Sequence, residues 1–222
     1  MTKKTGDFKL TRFILDVLMD VIIVFVLVLF IRYFLFAPFR VHGPSMCNTF
    51  NYYDDKCFSG DGEFILTSRL PTHSFFDVKL ANIDRGDVLV FKSPVSEETE
   101  YFIKRVIGLP GETIKIANGL VFVQDGEGQF VELEESYLSE ENKGQTYTFR
   151  NDEETYTIPE NSYFVMGDNR KKSSDSRRCF QQVGCTENSS PFLAHDMIQG
   201  EAKLVIFPFT HFRWISDVEY SI

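Results

Sequence analysis

The sequence predicts a mostly β domain carried behind a single long apolar helix. Two features carry that reading. From Val21 to Ile31 the chain reads VIIVFVLVLFI, with no polar residue. After about residue 40, short strand-like runs alternate with turn signals, and no long amphipathic helix is apparent. The 222 residues suffice for one sizeable domain or two small ones. There is no basic field of the kind that marks nucleic-acid binding.

The apolar run extends from Phe13 to Phe36 and exceeds the roughly 20 residues needed to cross a bilayer. Asp16 and Asp20 are four apart and share a helix face near its N-terminal end. Arg32, near the other end, can reach the headgroups by snorkelling. A buried core helix is the alternative, and length and uniform apolarity weigh against it. A cleaved secretory signal is disfavoured because Ala37-Pro38-Phe39-Arg40 is not a small-residue cleavage site. Lys3, Lys4, Lys9 and Arg12 precede the run, although Arg32 and Arg40 follow it, and this favours a cytoplasmic N-terminus. The expected organisation is residues 1–12 in the cytoplasm, 13–36 as anchor in the lipid bilayer, and 37–222 as an extracytoplasmic domain.

Within that domain, 63–67, 87–91, 102–107, 163–166 and 202–207 read as strands. Between Ile114 and Val123, Asn118-Gly119 separates two apolar-rich arms, a hairpin signal because both turn positions need positive φ. From about 124 to 159 the chain is acidic and weakly patterned, and it reads as an insertion. Between Asp125 and Glu160, eleven acidic residues face only Lys143 and Arg150, a local charge of -9 that equals the whole chain's. Such a block is ordinarily a solvated surface; the alternative is a docking surface for basic partners.

Four cysteines are present: Cys47, Cys57, Cys179 and Cys185. None forms a C-x-x-C pair and the histidines lack metal spacing, so neither a metal nor another cofactor is expected. Cys179 and Cys185 are close enough to close a small loop outside the cytoplasm. Cys47 could pair with Cys57 or stay a free buried thiol.

Two residues suggest chemistry. Ser45 lies in Gly43-Pro44-Ser45-Met46, a stiff turn just past the anchor. A serine hydroxyl is a weak nucleophile until a base takes its proton. Alone, the tetrapeptide also reads as an ordinary loop. Lys104 stands in an apolar strand, on one face with Phe102 and Val106. If that face is buried, desolvation lowers the lysine pKa and makes a neutral base available; if it is exposed, Lys104 is a surface lysine.

Four separated motifs resemble those of type I signal peptidases. They are Pro44-Ser45-Met46 with Thr49; Arg85-Gly86-Asp87-Val88-Leu89-Val90-Phe91; Phe102-Ile103-Lys104-Arg105-Val106-Ile107-Gly108-Leu109-Pro110-Gly111; and Met166-Gly167-Asp168-Asn169-Arg170 through Ser173, Asp175, Ser176 and Arg177. The resemblance implies the catalytic β-domain of that family with a β-rich insertion, and a Ser/Lys endopeptidase that removes signal peptides from secreted preproteins. It implies Ser45 as nucleophile, Lys104 as general base, and Ser173 as a hydroxyl that hydrogen-bonds and orients the lysine amine. Asp175 and Arg177 correspond to a supporting charged pair, with Asp168, Asn169 and Arg170 in the adjoining turn. Val41 and Ile103 correspond to apolar positions lining pockets for small substrate residues. The protein-export machinery is a further partner of such an enzyme.

Three positions depart from the pattern. Asn48 replaces a usual proline and Phe50 a usual leucine. Gly43 stands where some members carry a serine that helps hold the oxyanion, so backbone N–H groups near Gly43 and Ser45 must serve there. Two rivals share parts of the pattern. A non-catalytic membrane-anchored β-domain would lack the nucleophile or the base, and a soluble self-cleaving regulator would have a DNA-binding module where this chain has an anchor.

Overall fold

A computed structural model describes residues 4–47, 49–75, 78–96, 100–150, 153–216, 218 and 220. Lys3, Asn48 and the side chains of Lys4 and Lys9 lie outside the described residues. Helix α1 spans Lys4–Phe30, and a π turn over Ile31–Leu35 delivers the chain into β1 (Phe36–His42). The apolar side chains from Phe13 to Phe30 are all exposed, and none of the most apolar stretch is buried. This removes the core-helix alternative. Residues Arg12–Leu35, 24 in number, are long and apolar enough to span a membrane.

The remaining strands are β2 (Tyr52–Tyr53), β3 (Lys56–Cys57), β4 (Asp61–Ser68), β5 (Ser74–Phe75), β6 (Val78–Lys79), β7 (Val88–Lys92) and β8 (Tyr101–Gly108). They continue as β9 (Thr113–Ala117), β10 (Leu120–Gln124), β11 (Phe130–Glu132), β12 (Glu154–Thr157), β13 (Ser162–Met166), β14 (Leu193–Ala194), β15 (Ile198–Phe207) and β16 (Arg213–Trp214). The main sheet has the order β1-β4-β15-β7-β8-β13-β14, with β16 added to β15. Its pairings are antiparallel. β1 and β8 are separated by three strands, yet both line one groove, so the sheet curls.

Apolar side chains pack on both sides of the central strands. Val41, Met46, Phe50, Ile65, Val88, Val90 and Ile103 belong to one cluster, and Leu89, Phe91, Val106, Tyr163 and Val165 to another. From Ile103 to Gly108 every residue of β8 is buried, so the strand does not alternate. That settles the open question about Lys104, which lies in the interior at 4% exposure.

The second sheet, β11-β10-β9-β12, runs from Thr113 into the acidic stretch. The β-rich unit begins at Thr113, because the Asn118-Gly119 hairpin is its centre; both turn residues have positive φ as expected, 53° and 80°. Nor is the acidic stretch wholly solvated. Leu133, Leu138, Asn142, Thr146 and Thr148 are buried, and Glu135 is drawn inward by Arg170.

Candidate active site

The turn after β1 places Ser45 beside the buried middle of β8. Lys104 Nζ lies 3.0 Å from Ser45 Oγ and donates a second hydrogen bond to Ile103 O at 2.8 Å. Burial disfavours the ammonium and pushes the Lys104 pKa down to about 8, although Asp175 and Asp168 pull the other way. A substantial neutral fraction is therefore present near pH 8. A neutral amine within hydrogen-bond reach of a hydroxyl can take its proton.

Three hydrogen-bonded groups fix this arrangement. Asn169 N–H donates to Ser45 O at 3.0 Å, joining the serine turn to the turn after β13. Gly167 permits that approach, since a Cβ there would lie 2.5 Å from Ser45 O and 2.3 Å from Ser173 Oγ. Asp168 accepts two hydrogen bonds from buried Arg105, at 2.9 and 2.7 Å, and Thr49 Oγ1 donates to Asp168 at 2.5 Å. Burial opposes the charge on Arg105, but Asp168 overcomes it and holds the guanidinium above its ordinary pKa. Asp175 accepts from Arg177 at 2.9 and 2.8 Å and from Gly167 N–H at 3.0 Å. Burial would raise the Asp175 pKa; Arg177 and the Gly167 N–H outweigh it and hold the carboxyl below its ordinary range.

Two expected contacts are not made. Ser173 Oγ is buried beside Asp175, whose carboxyl it helps hold down, and makes no hydrogen bond to the Lys104 amine; the amine's second hydrogen bond goes to Ile103 O. Gly43 N–H donates to Gly60 O at 3.1 Å and is unavailable to an oxyanion. That leaves the Ser45 N–H as the backbone donor nearest the nucleophile.

Gly43 is held on its other side too. Asn51, fully buried and at positive φ, donates from Nδ2 to Gly43 O at 3.0 Å and to Val41 O at 3.3 Å. Asn51 is itself fixed by Glu63, whose N–H donates to Asn51 Oδ1 and whose carboxylate accepts the Asn51 N–H. Arg213 donates to both oxygens of Glu63 and to Thr49 O. The loop carrying Asn51 is closed by the Cys47–Cys57 disulfide, and Cys179–Cys185 is also bonded. Asn51, Arg105 and Glu135 were missed as site-supporting residues. Arg105 stood in a quoted motif, but no local pattern identified Asn51 or Glu135.

Val41 and Ile103 line a groove of about 330 Å³ together with Ser45 and Lys104. Phe39, Tyr101, Lys172, Ser174 and Gln182 also line it. Arg170, in the supporting turn, bonds Glu135 in the interior, donating at 2.8 Å through Nη1 and also through Nη2, and bonds Gly167 O through Nε.

Residues 14–207 match the family described as signal peptidase, peptidase S26. The sequence is 32% identical to signal peptidase I P of Bacillus subtilis subsp. natto, over 96% of this chain and 98% of that one. It is 30% identical to signal peptidase I T of Bacillus subtilis strain 168, over 96% and 94% of the two chains. A signal peptidase I crystal structure from Enterococcus faecalis V583 aligns with 28% identity and a TM-score of 0.38, covering 55% of this chain and 97% of that one.

Proposed function

The chain belongs to the signal peptidase family, peptidase S26, and from that premise we propose that Ser45 and Lys104 are its catalytic dyad. The activity is that of a serine peptidase cleaving signal peptides from preproteins, and the apolar helix anchors it to a membrane. The observation that carries the dyad is the 3.0 Å contact between a buried lysine amine and the serine hydroxyl.

Neutral Lys104 takes the Ser45 proton as Oγ attacks the scissile carbonyl. The negative charge develops against the Ser45 N–H. Lys104 then passes its proton to the departing amine, and a water activated by the same amine hydrolyses the acyl-enzyme. The preprotein lies extended in the groove, with small side chains seated against Val41 and Ile103. Asp168, Asn169, Arg170, Asp175 and Arg177 act as positioning residues. On this reading residues 1–12 are cytoplasmic, 13–36 form the anchor and 37–222 work outside the cytoplasmic membrane, where the protein-export machinery delivers substrate. The two disulfides support that orientation, because such bonds persist in oxidising compartments.

Cleavage of a preprotein by the detergent-solubilised full chain tests the dyad. Ser45→Ala should abolish it; a fully active Ser45→Ala protein overturns the assignment. External protease on intact cells tests orientation and should reach the Cys179–Cys185 loop but not the N-terminus.

A further inference from the structure

A second cavity, of about 350 Å³, sits where the anchor meets the β domain. Its walls include Leu29 and Arg32 from the helix end, Pro38 and Phe39 from β1, and Arg69 just past β4. Two guanidinium groups thus converge on a pocket with an apolar floor. Arg69 Nη1 donates to Tyr33 O at 3.3 Å, while its buried Nε has no hydrogen-bond partner. Among the described residues, no carboxylate pairs with Arg32 or Arg69.

Depth identifies what such a pocket meets. Arg32 lies in the last turn of the apolar span, three residues before its end at Leu35. Arg69 is fixed at the same level, because its backbone N–H donates to Leu35 O at 2.8 Å. Both charges therefore stand at the boundary between hydrocarbon and headgroups. Exposed Tyr33, Phe34 and Phe36 flank the same junction, as aromatic side chains do at a bilayer interface.

We propose that this pocket binds the phosphate of an anionic phospholipid, with Arg32 and Arg69 as ligands and Leu29, Pro38 and Phe39 against the lipid's apolar part. Guanidinium forks match phosphate oxygens in geometry and charge. Snorkelling accounts for Arg32 alone, but not for Arg69, which comes from the β domain and brings a second cation to the same cavity. Such a lipid would bridge helix and domain and set the height of the groove above the bilayer. The site rests on the membrane-anchor reading and is independent of the dyad.

Native mass spectrometry of the full chain in detergent, with phosphatidylglycerol or phosphatidylcholine added, provides the test. Wild type should retain one phosphatidylglycerol in preference to phosphatidylcholine. Arg69→Gln should weaken retention about fivefold and R32Q/R69Q further, from roughly 1 kcal/mol per arginine near a lipid surface. Equal retention of the two lipids, or undiminished retention of phosphatidylglycerol by R32Q/R69Q, overturns the proposal. Complete displacement of the lipid by excess inorganic phosphate also overturns it, by showing that the site reads free phosphate. Peptide cleavage in detergent should be unchanged in these variants, which verifies their fold. If the double variant does not fold, exposed Arg32→Gln carries the same comparison. Ser45→Ala should hold the lipid like wild type, which separates this site from the catalytic reading.

Discussion

The two halves of the proposed dyad are built in opposite ways. Ser45 stands on a turn, beside a glycine at φ 78° with open space where its side chain would be. Lys104 stands in β8, a strand buried from residue 103 to 108 and paired to β7 and β13. The turn has no regular ladder to define it, so it is clamped by individual bonds: Asn51 and Gly60 on Gly43, Asn169 on Ser45, and the Cys47–Cys57 bridge. The strand needs no such clamps, and its burial also supplies the chemistry by making the neutral amine accessible. Position is the vulnerable property of the serine, and protonation that of the lysine.

The largest effect should come from altering protonation without removing charge. Lys104→Arg retains a cation that cannot serve as base at working pH. Cleavage should fall about 10⁴-fold or more, the scale of loss when a member of a catalytic unit is removed. A Lys104→Arg enzyme within tenfold of wild type would end the distinction.

Next is the pair that joins the two halves. Asp168→Ala leaves Arg105 charged and buried without its partner. Unfolding in denaturant should show a loss of about 3–5 kcal/mol. An unchanged transition midpoint and slope would mean that the pair does not tie strand to turn.

Asn51→Gly tests position alone. Glycine tolerates the φ of 55° at this site but has no amide to hold Gly43 O and Val41 O. The value of kcat should fall about a hundredfold through misplacement of the serine. The pH dependence should stay where Lys104 sets it. Weakened stability with kcat intact would reduce Asn51 to an ordinary buried residue.

The smallest effect is electrostatic. Asp175 favours the charged form of Lys104, and Arg177 opposes it. In Asp175→Asn the amine should lose its proton more readily, shifting the acid limb of kcat/KM to lower pH. A shift to higher pH would contradict this assignment of sign.

Much of this site was legible because its chemistry lies in compact motifs. The strand alone left Lys104 open between buried base and surface lysine, and the motif around it decided; the segment from Gly167 to Arg177 is a short continuous stretch carrying two 3-10 turns. The Asn118-Gly119 hairpin was legible for a local reason as well, since its φ values follow from residue type. Legibility ended where partners are distant in sequence. Glu135 looked like one acid among many until Arg170 met it across 35 positions. Asn51 carries no local signal, and its role depends on Glu63, on Val41 O in β1 and on Gly43 O in the turn after it. Ser173 illustrates the converse: its motif implies a hydrogen bond to the Lys104 amine, but it is buried beside Asp175 and the amine bonds Ile103 O.

The central claim is that burial in β8 makes Lys104 the base for Ser45. The most direct measurement is kcat/KM for peptide cleavage against pH, because it reports ionisation in the free enzyme. Only neutral lysine can accept the proton, so activity should rise with pH through an apparent pKa near 8 and then level. A midpoint near the ordinary lysine value of 10.5, or a profile with no ionisation between these values, would contradict it.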